Sequence, residues 1–140
     1  MRAGILLVVI ALTVMAGFFL MPAIHAWQEA QTALPPPTCL ASTTPCIIKD
    51  KTVQLSVDTM TPLTPARLTV AWPSETESLQ LRLVGHEMDM GEVRIQLKAT
   101  TPGVYVAEVI LPVCTLDAMT WYGELTDGNE SIYTGIRMQR

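Results

Sequence analysis

Three side chains that bind soft metals alternate through Gly85-His86-Glu87-Met88-Asp89-Met90-Gly91, and a cysteine follows in Leu111-Pro112-Val113-Cys114. If the first segment is extended, alternate side chains emerge on one face, which places His86, Met88 and Met90 together. Two thioethers, an imidazole and a thiolate are donors that suit Cu(I) and suit Mg²⁺ or Ca²⁺ poorly. The plainer reading is packing. Methionine is adaptable filler, and a free cysteine is among the most buried of residue types. Convergence in space separates the two readings.

The flanking strands set the parity. Leu79, Leu81 and Leu83, and then Val93, Ile95 and Leu97, all hold odd positions, so odd positions face the core on both sides of the segment. His86, Met88 and Met90 are even and point away from the core, unless Gly85 or Gly91 hosts a bulge that resets the register. Pro112 ends the preceding strand, which leaves Cys114 at a strand end or in the Val113–Ala118 loop. Met119 and Trp121 share a face of the next strand. Trp121 reads as core, although an indole face beside Cu(I) would give a cation–π contact and exclude water. His25 abuts an apolar run and reads as interfacial. The acids, among them Asp50, Asp58, Glu75 and Glu77, are scattered and read as solvated surface. No Ser–His–Asp set, phosphate loop, HExxH motif or paired-carboxylate cleft is visible, so the chain reads as a binding protein and not an enzyme.

The elements that must position these groups are strands. From Lys51 onward apolar residues recur with period two: Val53, Leu55, Val57; Leu68, Val70, Trp72; then the leucines and β-branched residues above. Val104 to Leu111 is apolar on both faces and reads as central. Met119, Trp121 and Leu125 form another strand, and Ile132 to Met138 the last. Turn signals at Thr101-Pro102-Gly103 and Asp127-Gly128-Asn129 fall between them. Seven short strands predict an all-β domain over residues 51–140, an immunoglobulin-like antiparallel β-sandwich.

Residues 27–50 read as a linker. Leu34-Pro35-Pro36-Pro37 favours polyproline II, and Cys39 and Cys46 bracket a short loop that a disulfide would staple. Three cysteines allow three pairings; this one leaves Cys114 as a buried thiol, an intermolecular link or a ligand. Residues 1–26 read as a membrane anchor. Ala3 to Met21 carries no charge, and as a helix it would be roughly 28 Å long, close to the thickness of a bilayer core. Arg2 precedes the run and no Lys or Arg follows before Lys49, which places the N-terminus in the cytoplasm and the domain outside, as a single-pass protein. The rival reading is a signal peptide cleaved near Ala26, after Ile24-His25-Ala26, which sends the same domain to the same compartment. The formal charge of −4 supplies no basic patch, so nucleic acid is excluded as the expected partner.

From Cys39 onward the order of motifs resembles small exported bacterial domains of the YtkA/FixH-like family. The matching residues are the Cys39/Cys46 pair, Leu55-Ser56-Val57, Pro62-Leu63-Thr64-Pro65, Met88-x-Met90-Gly91, Gly103-x-Tyr105, Leu111-Pro112-x-Cys114 and Met119-Thr120-Trp121. The resemblance implies an immunoglobulin-like sandwich on a bacterial inner membrane facing the periplasm, Met88, Met90 and Cys114 in the family's characteristic positions, and a role beside copper delivery or cytochrome oxidase assembly. The two functional expectations are therefore Cu(I) binding through Met88, Met90 and Cys114, with His86 as a further donor, and a non-metal module that docks on a membrane protein complex.

Overall fold

A computed structural model describes the backbone of residues 2–140 and the side chains of residues 11–27 and 33–140. The chain divides into two units, Met1–Ala33 and Leu34–Arg140. The first is a single helix, α1 (Arg2–Thr32), with Pro22 inside it. Every described side chain from residue 11 to residue 27 is exposed, Phe18, Phe19 and Trp27 among them. Among the described residues no helix is long and apolar enough to cross a membrane. The side chains of residues 1–10, on which much of the expected anchor rests, lie outside the described set.

The second unit is nine strands: β1 (Cys39–Ala41), β2 (Cys46–Ile48), β3 (Lys51–Leu55), β4 (Ala66–Ala71), β5 (Ser78–Gly85), β6 (Glu92–Thr101), β7 (Val104–Val109), β8 (Ala118–Thr126) and β9 (Ser131–Gln139). They form one sheet in the order β1-β9-β8-β5-β6-β7-β4-β3-β2. The all-β expectation is met, but with nine strands and a mixed sheet in place of seven antiparallel strands. β1 runs parallel to β9, and the other neighbours are antiparallel. The two added strands, β1 and β2, fall inside the stretch read as linker. Each is three residues long, too short to display a period and set among prolines. Cys39 and Cys46 are disulfide-bonded with their Cα atoms 6.3 Å apart, so the two ends of the strand order are tied together and the sheet nearly closes into a barrel.

Alternation does most of the folding work. In β5, Leu79, Leu81 and Leu83 are fully buried; in β8, so are Met119, Trp121 and Leu125; β4 contributes Leu68 and Val70. At roughly 25 cal/mol per Å² of apolar surface, each such side chain contributes about 1.5–3 kcal/mol. β6 departs from this. Val93 and Ile95 are only half-buried and Leu97 alone is fully enclosed. β7 is central, yet it alternates, with Tyr105 and Val109 buried and its other residues half-buried or exposed.

One end of the sheet, formed by the start of β3, the end of β4 and the β8–β9 turn, is closed by a satisfied polar cluster. The Lys51 ammonium, 2% exposed, reaches Asp50 at 2.7 Å and Glu130 at 2.9 Å and lies 4.8 Å above the Trp72 ring centroid. The hydrogen bonds to Asp50 and then Glu130 raise the Lys51 pKa, against a smaller opposing effect of burial. The Trp72 indole N–H donates to Asp127 Oδ2 at 3.1 Å.

Candidate metal centre at the sulfur-rich end

The opposite end is built differently. β5 ends at Gly85, which pairs with Trp121 of β8. A Cβ at residue 85 would strike the Met119 methyl and the Met88 carbonyl. The chain turns back so closely here that only glycine fits. Residues 86–88 form a bend and 89–91 have no regular structure. The alternation expected to carry His86, Met88 and Met90 onto one face therefore stops at Gly85. At the far side Gly91 adopts φ +74°, a left-handed conformation suited to glycine, and its N–H donates to Asp89 Oδ1 at 2.9 Å.

The bend sends the expected ligands in different directions. The His86 imidazole is exposed and lies flat on the Tyr122 ring, with centroids 4.3 Å apart and planes 12° apart. Tyr122 is an even-numbered residue of β8, so this stack sits on the outer face, opposite to buried Trp121. Met88 and Met90 instead are half-buried and pack against the core. Cys114 lies in the β7–β8 connection at 3% exposure, its Sγ–H donating to the Leu116 carbonyl at 3.3 Å. The Thr115 hydroxyl approaches Met88 Sδ at 4.0 Å. The fold thus brings the Met88 thioether to the residue next to Cys114, packs Met90 on the same core, and holds His86 away.

The loop is pinned by Glu87. Its carboxylate accepts from the Thr120 N–H at 2.6 Å and the Thr120 hydroxyl at 3.0 Å, and Arg137 donates to it at 3.2 Å. Burial alone would raise this carboxyl, but the Thr120 amide and hydroxyl together with Arg137 outweigh it and hold the pKa below the ordinary glutamate value. The His86 N–H adds a bond to the Thr120 carbonyl at 2.9 Å. A bend anchored at both backbone and side chain holds Met88 in one place.

Two residues of this end carry no signal in the sequence. Met60, between β3 and β4, bridges Met138 of β9 in parallel, and Met138 faces Met119 of β8 in antiparallel register. All three are at most 1% exposed. All five methionines after residue 33 (Met60, Met88, Met90, Met119 and Met138) therefore gather at one end, with the free thiol of Cys114. Strand pairing places them there, and pairing is not visible in local spacing. Among the described residues no group of three or more His, Cys, Asp or Glu is placed to hold a metal ion, so a metal here would depend on thioethers. The Trp121 indole N–H, on the same face and two residues from Met119, is buried without a hydrogen-bond partner. A groove of about 530 Å³, lined by Ser74, Glu75, Thr101 and Tyr105 among others, lies at the other end of the sheet, and no sulfur lines it.

Comparison with known proteins returns no matching family model, no matching curated protein and no matching solved structure.

Proposed function

We propose that this chain is an exported, membrane-tethered β-domain, akin to an immunoglobulin-like sandwich, that binds Cu(I) through Met88, Met90 and Cys114 and serves copper handling or oxidase assembly at a bacterial inner membrane. One observation carries the reading: the Met88 thioether and the Cys114 loop meet, although 26 positions separate the two residues. A thiolate with one Cu(I) is neutral overall, and thioethers add no charge, so the complex tolerates a site as enclosed as Cys114. Thioethers are also soft, neutral ligands, which suits a metal that is passed on and not locked in. His86 can join only by leaving the Tyr122 ring. The tether is supported by the uncharged run Ala3–Met21 and by a helix whose described apolar side chains are exposed on every side, as in a helix meant for an apolar surrounding. The YtkA/FixH-like motif order supports the same placement.

The test is a Cu(I) competition titration of the full chain in detergent micelles, beside Met88→Leu/Met90→Leu. The double variant should lose affinity by about 100-fold, or about 2.7 kcal/mol. Unchanged affinity ends the copper reading.

A second reading, docking on a membrane protein complex without metal, is favoured by exposed apolar residues at the same end. Leu63 is 64% exposed with φ +60°, a conformation that disfavours leucine, and its N–H donates to the Leu111 carbonyl close to exposed Ile110 and Val113. A chain that binds no Cu(I) but is retained by its membrane complex, and released by Leu63→Ser, would establish it.

A further inference from the structure

We infer that Met119, and not His86, completes the donor set. This rests on the Cu(I) reading of the same end and names a ligand that the spacing of residues 85–91 does not suggest. Met119 lies at the start of β8 on the inner face, fully buried, and its methyl fills the space that a side chain at residue 85 would need. The Met88 carbonyl occupies that same space. Met119 and Met88 are therefore direct neighbours, one from beneath and one from the turn that folds over it. Met88 in turn reaches Thr115, the residue after Cys114. Met119, Met88 and Thr115, the neighbour of Cys114, thus form one chain of contacts drawn from three separate segments.

His86 stands outside that chain of contacts. Its ring is on the outer face against Tyr122, and its backbone N–H is held by Thr120. Moving the imidazole to the inner face would break the Tyr122 stack, and the backbone bond to Thr120 holds the residue where that stack forms. Met119 needs no such rearrangement, because a side chain with three rotatable bonds can turn its sulfur without moving the strand. Trp121, opposite Gly85 and beside Met119, keeps a buried indole N–H without a partner; as a donor only, it is no ligand for Cu(I) and stands outside the donor set. Met138 supplies the control, since it is as buried as Met119 and is its register partner, one strand further from Met88.

The experiment is a Cu(I) competition titration of the full chain in micelles, with Met119→Leu, Met138→Leu, His86→Ala and Met88→Leu. Leucine keeps the volume and removes the sulfur. Met119→Leu should weaken binding by roughly tenfold or more, as Met88→Leu does, while Met138→Leu and His86→Ala stay within about threefold of the unsubstituted chain. X-ray absorption of the copper-loaded unsubstituted chain gives a readout that needs no variant: a sulfur-only shell, with thiolate near about 2.3 Å and no imidazole scattering. Binding that survives Met119→Leu but falls with Met88→Leu overturns the role of Met119 and leaves the copper reading standing. Imidazole in the copper shell, or a loss with His86→Ala, also overturns it. An unsubstituted chain that binds no Cu(I) overturns both.

Discussion

Two buried tryptophans on the inner wall of the sheet meet opposite surroundings. Trp72, at the polar end, is 2% exposed; it donates its indole N–H to Asp127 and carries the Lys51 ammonium on its ring. Trp121, toward the sulfur-rich end, is fully enclosed, yet its indole N–H meets no acceptor. Around Trp72 each charge is answered by a partner, and the cluster closes the end of the sheet. Around Trp121 the neighbours are glycine, thioethers and a loop bent over them. The polar end is built for stability. The other end gathers soft donors: Met88, Met90, Met119 and Cys114.

The largest expected effects test whether both rings are equally part of the core. Trp72→Ala and Trp121→Ala should each destabilise the fold by about 3–5 kcal/mol, measured by urea denaturation followed by circular dichroism. The sharper comparison uses phenylalanine, which keeps the ring and removes the N–H. Trp72→Phe abandons Asp127, whereas Trp121→Phe removes a donor that has no acceptor. The first should therefore cost about 1–2 kcal/mol more than the second. Equal losses would mean that the two ends do not differ in the way described.

An intermediate effect concerns pH, and both ends contribute with the same sign. At the polar end Asp127 is held below the ordinary aspartate value by the Glu130 and Asn129 amides and by Trp72. At the sulfur-rich end burial pushes Glu87 upward, but Thr120 and Arg137 bring it below the ordinary value of 4.5. A carboxyl with a lowered folded pKa stabilises in full above its unfolded value, and that stability is lost as pH falls through the folded one. The loop over Met88 should loosen as pH drops below 4.5, seen as faster hydrogen exchange in residues 86–91, and Glu87→Gln should make that exchange fast at neutral pH as well.

Much of the wall was readable from the residues, and much of the site was not. Leu79, Leu81 and Leu83 alternate cleanly, and all three are buried, because one face of β5 meets the core along its whole length. β1 and β2 escaped because a three-residue strand has no period to show; the place of β1 also depends on β9, far away in sequence, whereas β2 turns straight back onto β3. Gly85 and Gly91 did mark a break in register, but not the direction in which His86 would leave it. That direction is set by Tyr122, whose ring offers a flat surface only once β5 and β8 are paired. The acids were read as solvated surface, yet Glu87 pins the site loop and Asp127 serves Trp72; these roles belong to partners 33 or more positions away. Met60 and Met138 were ordinary strand and loop residues until a bridge between them aligned the sulfurs.

The smallest effect separates packing from function within that row of methionines. Met60, Met138 and Met119 stand side by side, equally buried, and by volume each is a sound core residue. Replacing either Met60 or Met138 with leucine should cost less than about 1.5 kcal/mol, since the swap conserves volume and no polar atom is lost. Met119→Leu should fall in the same range on stability, because urea denaturation of the metal-free fold does not distinguish a thioether from a branched alkyl group. If Met119→Leu alone proved strongly destabilising, its neighbours Gly85 and the Met88 turn would be packing constraints first, and the contrast between the two ends would shrink to one between polar and apolar packing. Equal and small losses at all three positions leave metal affinity as the property that tells them apart.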